Sequence, residues 1–159
     1  MGFTRVSIFA VPAVLIVLLG AGPALAQAAN EKVMQERQAL MKQQGADMGA
    51  VKGYLDDKND LAKASAAAVD LSATMKKIPD VFPPNTAGPN PDGKYETKPE
   101  VWSDNKGFLE QRDIAAKKVE ALQVALKGAD KAAIQTAFGE LGKEGCGGCH
   151  QKFRAEIKK

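Results

Sequence analysis

The most informative part of the sequence is Cys146-Gly147-Gly148-Cys149-His150, close to the C-terminus. It contains both cysteines and the only histidine among 159 residues. Cys-x-x-Cys-His is typical of c-type haem attachment, in which two thiols bind the haem vinyl groups and the imidazole binds the iron. On a helix, residues 146, 149 and 150 share one face. The motif therefore predicts a helix that carries haem c, with the two glycines leaving room for the macrocycle beside the backbone.

Three other roles for the cysteines agree less well with the sequence. Paired cysteines in an exported protein usually form a disulfide, but a bridge across two residues leaves His150 unexplained. A zinc site needs about four ligands, and the chain has no other Cys or His. A thioredoxin-like pair lies between a strand and a helix, and no strand pattern precedes Cys146. Haem attachment is the interpretation that uses all three residues.

The N-terminus has the pattern of a secretory signal peptide. Arg5 is followed by an apolar run over residues 8–19, and Ala24-Leu25-Ala26 forms an A-x-A cleavage site. The apolar run is short and is broken by Pro12, which argues against a stable membrane anchor. We predict that residues 1–26 are removed on export, which places the mature protein in the periplasm.

The remaining residues, 27–159, are predicted to form one domain. The full chain has a formal net charge of +3, and loss of Arg5 with the signal peptide leaves it nearly balanced. A balanced charge argues against nucleic acid or an anionic membrane surface as a partner.

Two helices are predicted before a long proline-rich connection. Six of the eight prolines fall between Pro79 and Pro99, which predicts a connection rather than a helix, and no alternating strand pattern is present. The first helix is predicted over Glu31–Leu55, and the second follows the polar turn at residues 56–60 and ends near Lys77. Apolar side chains recur every seven residues on the first helix, which predicts a stripe facing a bundle. The stripe comprises Met34, Met41, Met48 and Leu55.

Two further helices are predicted after the connection. Thr97-Lys98-Pro99-Glu100 fits a capping box at the start of the third helix, and Gly128 is predicted to end it. Asp130 is predicted to cap the fourth helix, which continues through the cysteine motif to Phe153 and Ile157. The glycines before the motif are explained either by close approach of the macrocycle or by a local break before Cys146. They are Gly139, Gly142 and Gly145. The prediction is an all-α, antiparallel four-helix bundle with covalently bound haem c in its core.

On these residues the chain resembles cytochrome c′ and its relatives, the class II c-type cytochromes. The resemblance rests on Cys146–Arg154, Arg37–Met41 and Lys98–Trp102, and it spans essentially the whole predicted mature chain. The resemblance implies that Cys146 and Cys149 form the thioethers and that His150 is the proximal iron ligand. It places Arg37 and Gln38 beside the haem propionates, and Glu96, Thr97 and Glu100 near the haem edge. Arg154 would share a helix face with His150 and influence the proximal side, or would simply be a solvated basic residue.

The resemblance also places Met41 toward the sixth coordination position of the iron. Met41 lies four residues after Arg37, so the two side chains share a helix face. In some members of the family a methionine here ligates the iron, and the protein carries electrons. In others the site is vacant, and the five-coordinate iron binds small gases such as NO or CO. We predict ligation by Met41, while the alternative is that Met41 belongs only to the apolar stripe.

The predicted function is transfer of one electron between periplasmic redox proteins, with gas binding as the alternative. Enzyme activity is not expected, because no second histidine is available for acid–base chemistry. The family includes monomers and also homodimers formed through the first two helices, and the sequence is compatible with both.

Overall fold

The computed structural model describes residues 21–158 and forms the predicted bundle. Its elements are α1 (Ala21–Leu55), α2 (Leu61–Lys77), a 3-10 turn (Pro79–Val81), β1 (Gly88–Pro89), β2 (Tyr95–Thr97), α3 (Glu100–Ser103), α4 (Asn105–Gly128), α5 (Lys131–Glu140), a π-helical segment (Leu141–Gly147), α6 (Gly148–Phe153) and β3 (Arg154–Glu156). α5, the π segment and α6 follow one another directly and together form the fourth long helix. α1 packs on α2 and α5, α2 on α4, and α4 on the fourth helix, so the bundle is closed.

Polar caps and apolar stripes explain where the long helices begin and what they bury. Asp60 accepts a hydrogen bond from the Lys63 backbone N–H at 2.8 Å, and Asp130 accepts one from Ala132 at 2.9 Å, so the predicted cap at Asp130 is confirmed. α4 ends at Gly128 as predicted, although the residue in the left-handed conformation is Ala129. The core between the helices comprises Leu71, Val101, Phe108, Val119, Leu122, Ile134, Leu141 and Phe153, with smaller alanines around them.

The predicted capping box at the start of the third helix is wrong. Thr97 lies in β2 and its hydroxyl accepts a hydrogen bond from Arg37, so it is not available as a cap. α3 extends only from Glu100 to Ser103, and Asp104 separates it from α4. The Asp104 side chain accepts a hydrogen bond from the Gly107 N–H at 3.1 Å and caps the long helix α4.

A small antiparallel sheet, which the sequence did not predict, covers one end of the bundle. β2 lies between β1 and β3, with Gly88 opposite Thr97 and Thr97 opposite Arg154. The fourth helix therefore ends at Phe153 and does not continue to Ile157. Arg154 has extended backbone angles and stacks on the Tyr95 ring at 4.0 Å, so the prediction that it shares a helix face with His150 is wrong.

Two glycines of the fourth helix allow close packing against α4. Gly145 lies where a Cβ would be 3.2 Å from the Ala115 Cα of α4, and a Cβ on Gly148 would be 2.7 Å from the Gln111 amide nitrogen. Gln111 in turn donates a hydrogen bond to the Glu144 carbonyl in the π segment at 2.8 Å. Gly142 and Gly145 line the cavity in which the cysteines lie, as close approach of the macrocycle requires. Gly147 and Gly148 are not among the lining residues, and the room they would leave for the macrocycle stays a prediction. The segment before Cys146 is π-helical and continues the fourth helix, so the alternative of a local break is wrong.

The N-terminal predictions reach beyond the described residues. Residues 1–20 of the predicted signal peptide lie outside them, and α1 begins at Ala21, earlier than the predicted Glu31. Removal of a signal peptide at residue 26 stays a prediction. Within residues 21–158, no helix combines the length and the apolar character needed to cross a bilayer.

Asp47 on α1 is expected to destabilise the fold at neutral pH. Its side chain is 5% exposed, and Oδ1 accepts a hydrogen bond from Gln43, while Oδ2 has no partner among the described residues. Burial raises the pKa of this carboxyl, and the charge of Asp70 raises the pKa further. We expect Asp47→Asn to increase the free energy of unfolding by about 1 kcal/mol at pH 7, because a buried unpaired charge is removed.

The raised pKa of Asp47 determines how the stability gain from Asp47→Asn changes with pH. The folded-state pKa of Asp47 lies above its unfolded value, so the unfolded chain loses the proton first as the pH rises. The destabilisation by Asp47 therefore begins as the pH rises above the pKa of Asp47 in the unfolded chain, and it is complete above the pKa in the folded protein. Urea unfolding should show a gain from Asp47→Asn at pH 7 that shrinks as the pH approaches the unfolded value of about 4. Glu120→Gln, at an exposed position of α4, is the control, and an equal gain in both variants would contradict the assignment.

Candidate haem site

A cavity lies between α1, α2 and the fourth helix, with the sheet and the preceding connection on its remaining side. It brings together most of the predicted site residues, namely Arg37, Gln38, Met41, Glu96, Thr97, Cys146, Cys149, His150 and Arg154. Glu100 is not among the lining residues and is exposed at the first position of α3, so its place near the haem edge stays a prediction. Residues that sequence analysis did not assign to the site also line it, among them Gln44, Met48, Met75, Phe82 and Asn90.

Cys146, Cys149 and His150 present two thiols and an imidazole from one wall of the cavity. Both cysteines are free and half-buried; Cys146 lies at the end of the π segment and Cys149 in α6, and both line the cavity with His150. Burial raises the pKa of both thiols, that of Cys149 to about 11. Burial also lowers the pKa of His150 to about 4, and the charge of Arg154 contributes. The imidazole is therefore neutral at physiological pH, which is the form that binds a metal.

The α1 and α2 walls of the cavity are rich in thioethers. Met41 and Met48 come from α1 and are half-buried, whereas Met75 comes from α2 and is 3% exposed. The seven-residue stripe pointed to Met41 and Met48, but Met34 of the same stripe lies near Gly88 and outside the cavity lining. Gln44 is the buried polar residue of this wall, and its amide donates a hydrogen bond to the Met75 sulfur at 3.8 Å.

Arg37 lines the cavity, but most of its hydrogen bonds go to the proline-rich connection. Nε donates to the Val81 carbonyl at 2.9 Å, and the other nitrogens donate to Thr97 Oγ1 at 2.9 Å and to the hydroxyl and carbonyl of Thr86 at 2.7 and 3.1 Å. The guanidinium also lies over the Phe82 ring at 4.2 Å. Burial lowers the pKa of Arg37 to about 10, so it stays charged at neutral pH. Arg37 therefore ties both ends of the connection to α1.

The residues present fit a covalently held haem. Two thiols and an imidazole stand on one wall, and the facing side chains are mostly apolar, as a flat macrocycle requires. The Gln38 amide nitrogen is buried without a hydrogen-bond partner among the described residues. A buried donor of this kind needs an acceptor, and a haem carboxylate would supply one.

Comparison with known proteins identifies the group to which this site belongs. The family model described as Cytochrome C' matches residues 32–154. The chain belongs to the cytochrome c′ family. A cytochrome c-556 of Rhodopseudomonas palustris is 32% identical over 131 residues, which cover 79% of this chain and 85% of that protein. A cytochrome c′ of Rubrivivax gelatinosus is 40% identical over 95 residues, covering 58% of this chain and 70% of that protein.

Solved structures of cytochrome c′ share the bundle. The cytochrome c′ structure from Rubrivivax gelatinosus is 33% identical with a TM-score of 0.64, and covers 77% of this chain and 94% of its own. A cytochrome c′ described as having ligand-controlled dimer dissociation is 27% identical with a TM-score of 0.71, covering 79% and 96%. The predicted four-helix bundle and the predicted covalent haem c are thereby confirmed for this cytochrome c′ family member.

Proposed function

We propose that this protein is a periplasmic one-electron carrier in which Met41 and His150 are the axial ligands of a haem attached through Cys146 and Cys149. The observation that carries the proposal is the placement of the Met41 thioether in the same cavity as the cysteine–histidine motif. A thioether opposite an imidazole is the ligand pair that raises the reduction potential of c-type haem. Its partners would be periplasmic redox proteins, and the protein itself would be a monomer or a homodimer.

The roles of the individual residues follow from their chemistry. Bound haem supplies an iron that alternates between the ferric and ferrous states. Cys146 and Cys149 hold the group covalently, so it cannot dissociate. His150, kept neutral by burial, offers a nitrogen lone pair. The apolar side chains of α1 and α2 keep water away from the site, which limits solvent rearrangement during electron transfer, and Gln38 offers an N–H toward a carboxylate.

Met41→Ala tests the proposal. The unmutated protein is expected to give a low-spin optical spectrum with the charge-transfer band of methionine-ligated ferric haem. Met41→Ala should convert the spectrum to high-spin and lower the reduction potential, because the thioether is lost. Met48→Ala, a matched change on the same helix and in the same cavity, should leave the spectrum low-spin. A high-spin spectrum in the unmutated protein would rule out ligation by Met41.

The alternative is a five-coordinate cytochrome c′ that binds NO or CO. The mostly apolar wall of α1 and α2 favours this candidate, since it suits a small neutral ligand. The relative with ligand-controlled dimer dissociation gives the alternative a second readout. Carbon monoxide added to the reduced, unmutated protein should bind readily only if the sixth position is vacant, and sedimentation with and without the gas would report any change of oligomeric state.

A further inference from the structure

Three thioethers line the cavity, but the iron accepts one ligand on that side. Met41 and Met48 are contributed by α1 and Met75 by α2. All three have the same soft donor atom, so ligand type alone does not select among them. Selection must come from what holds each sulfur in the protein.

The three sulfurs differ in their surroundings. The Met75 sulfur accepts the hydrogen bond from the Gln44 amide at 3.8 Å, and its side chain is almost completely buried. Within residues 27–158, no hydrogen bond is formed to the sulfur of Met41 or Met48. Met41 and Met48 are also more exposed than Met75. Met75 is therefore held in place, whereas Met41 and Met48 are not.

Gln44 loses its partner if Met75 moves toward the iron. The Gln44 side chain is 8% exposed, and its amide nitrogen donates to the Met75 sulfur. A thioether is a weak acceptor, but a buried N–H without any acceptor is unfavourable. Ligation by Met75 would add this penalty to the rearrangement of the core around it. Ligation by Met41 would leave the Gln44–Met75 pair intact.

We infer that Gln44 is a positioning residue that keeps Met75 off the haem iron and so leaves the sixth position to a methionine of α1. The inference rests on the proposed ligation by Met41. It assigns a role to a buried glutamine that neither touches the iron nor lies in the attachment motif. The proposed role of Gln44 is tested by determining which methionine binds the iron.

The test uses holoprotein variants in a Met41→Ala background. Met41→Ala alone should be high-spin, because Gln44 still holds Met75 and the Met48 Cα lies about 10 Å from that of Met41 along α1. In Met41→Ala/Gln44→Leu the Met75 sulfur is released, and the ratio of low-spin to high-spin haem should rise roughly tenfold, the factor that about 1.4 kcal/mol represents. Adding Met75→Leu should abolish this gain. Met41→Ala/Gln35→Leu, the same substitution at an exposed glutamine of α1, should stay high-spin.

Two results would overturn the inference, and they separate it from the proposed function. If Met41→Ala is high-spin and Met41→Ala/Gln44→Leu is also high-spin while circular dichroism shows a folded bundle, Gln44 does not restrain Met75, and ligation by Met41 still stands. If Met41→Ala stays low-spin until Met75→Leu is added, Met75 binds the iron with Gln44 present and the inference about Gln44 fails, whereas a high-spin spectrum of the unmutated protein is the result that removes Met41 as the ligand. Gln44→Ala replaces Gln44→Leu if the leucine variant does not fold.

Discussion

Replacing Cys146 and Cys149 together with serine is expected to abolish covalent haem attachment. Serine hydroxyls do not form the thioethers, so the haem would be held only by His150 and apolar contacts. After expression with a haem-attachment system, a denaturing gel stained for haem should show colour at the mass of the unmutated chain and none at that of the double variant. Acidified organic solvent should extract haem from the double variant only.

The same variant should also be less stable. The cavity walls are apolar side chains that contact the haem when it is bound, so a chain that loses the haem loses buried apolar area. We expect a lower thermal midpoint for Cys146→Ser/Cys149→Ser than for the loaded protein. Ser103 lies outside the cavity lining, so Ser103→Ala is the control. This variant should retain covalent haem and the thermal midpoint of the unmutated protein. Covalently bound haem in the double variant would contradict the assignment of the attachment residues.

Replacing Arg37 with alanine is expected to destabilise the fold strongly. Arg37 is 2% exposed and donates four hydrogen bonds to residues between Val81 and Thr97. Its loss leaves buried carbonyl and hydroxyl oxygens without a donor and removes the contact with Phe82. Hydrogen bonds to charged groups contribute about 1.5–3 kcal/mol each, but they are not additive, so we expect a loss of about 3 kcal/mol in total.

Hydrogen exchange distinguishes this role from a purely electrostatic one. In Arg37→Ala, backbone amides between residues 81 and 97 should exchange faster, because both ends of the connection lose their tie to α1. Arg37→Lys keeps the charge but not the planar set of donors, so it should restore less than half of the lost stability. Arg112→Ala removes an arginine that pairs with the adjacent Asp113 and should cost about 1 kcal/mol or less. Equal effects of Arg37→Ala and Arg112→Ala would contradict the assignment.

Local sequence patterns predicted the helices well. The caps, the apolar repeats and the proline-rich connection operate over a few residues, and the bundle follows from them. The capping box at Thr97 failed for a non-local reason. The same hydroxyl that would cap a helix accepts a hydrogen bond from Arg37, 60 residues earlier in the chain.

The end of the fourth helix shows the same limit. Residues from Arg154 onward have no intrinsic preference against helix, and the sequence gives no alternating strand pattern. They are extended because β2 lies beside them and supplies strand partners at Tyr95 and Thr97. A strand of three residues is stabilised by its pairing and not by its composition.

The sequence by itself determined that haem c is attached near the C-terminus of a helical bundle, because cysteine spacing and helix periodicity are properties of neighbouring residues. The tertiary structure was needed to show that Arg37 holds the connection, that Gly148 packs against Gln111, and that Gln44 pairs with Met75. These contacts join residues that are 31 to 60 positions apart in the chain. The path of the whole chain, and not any local pattern, brings such residues together.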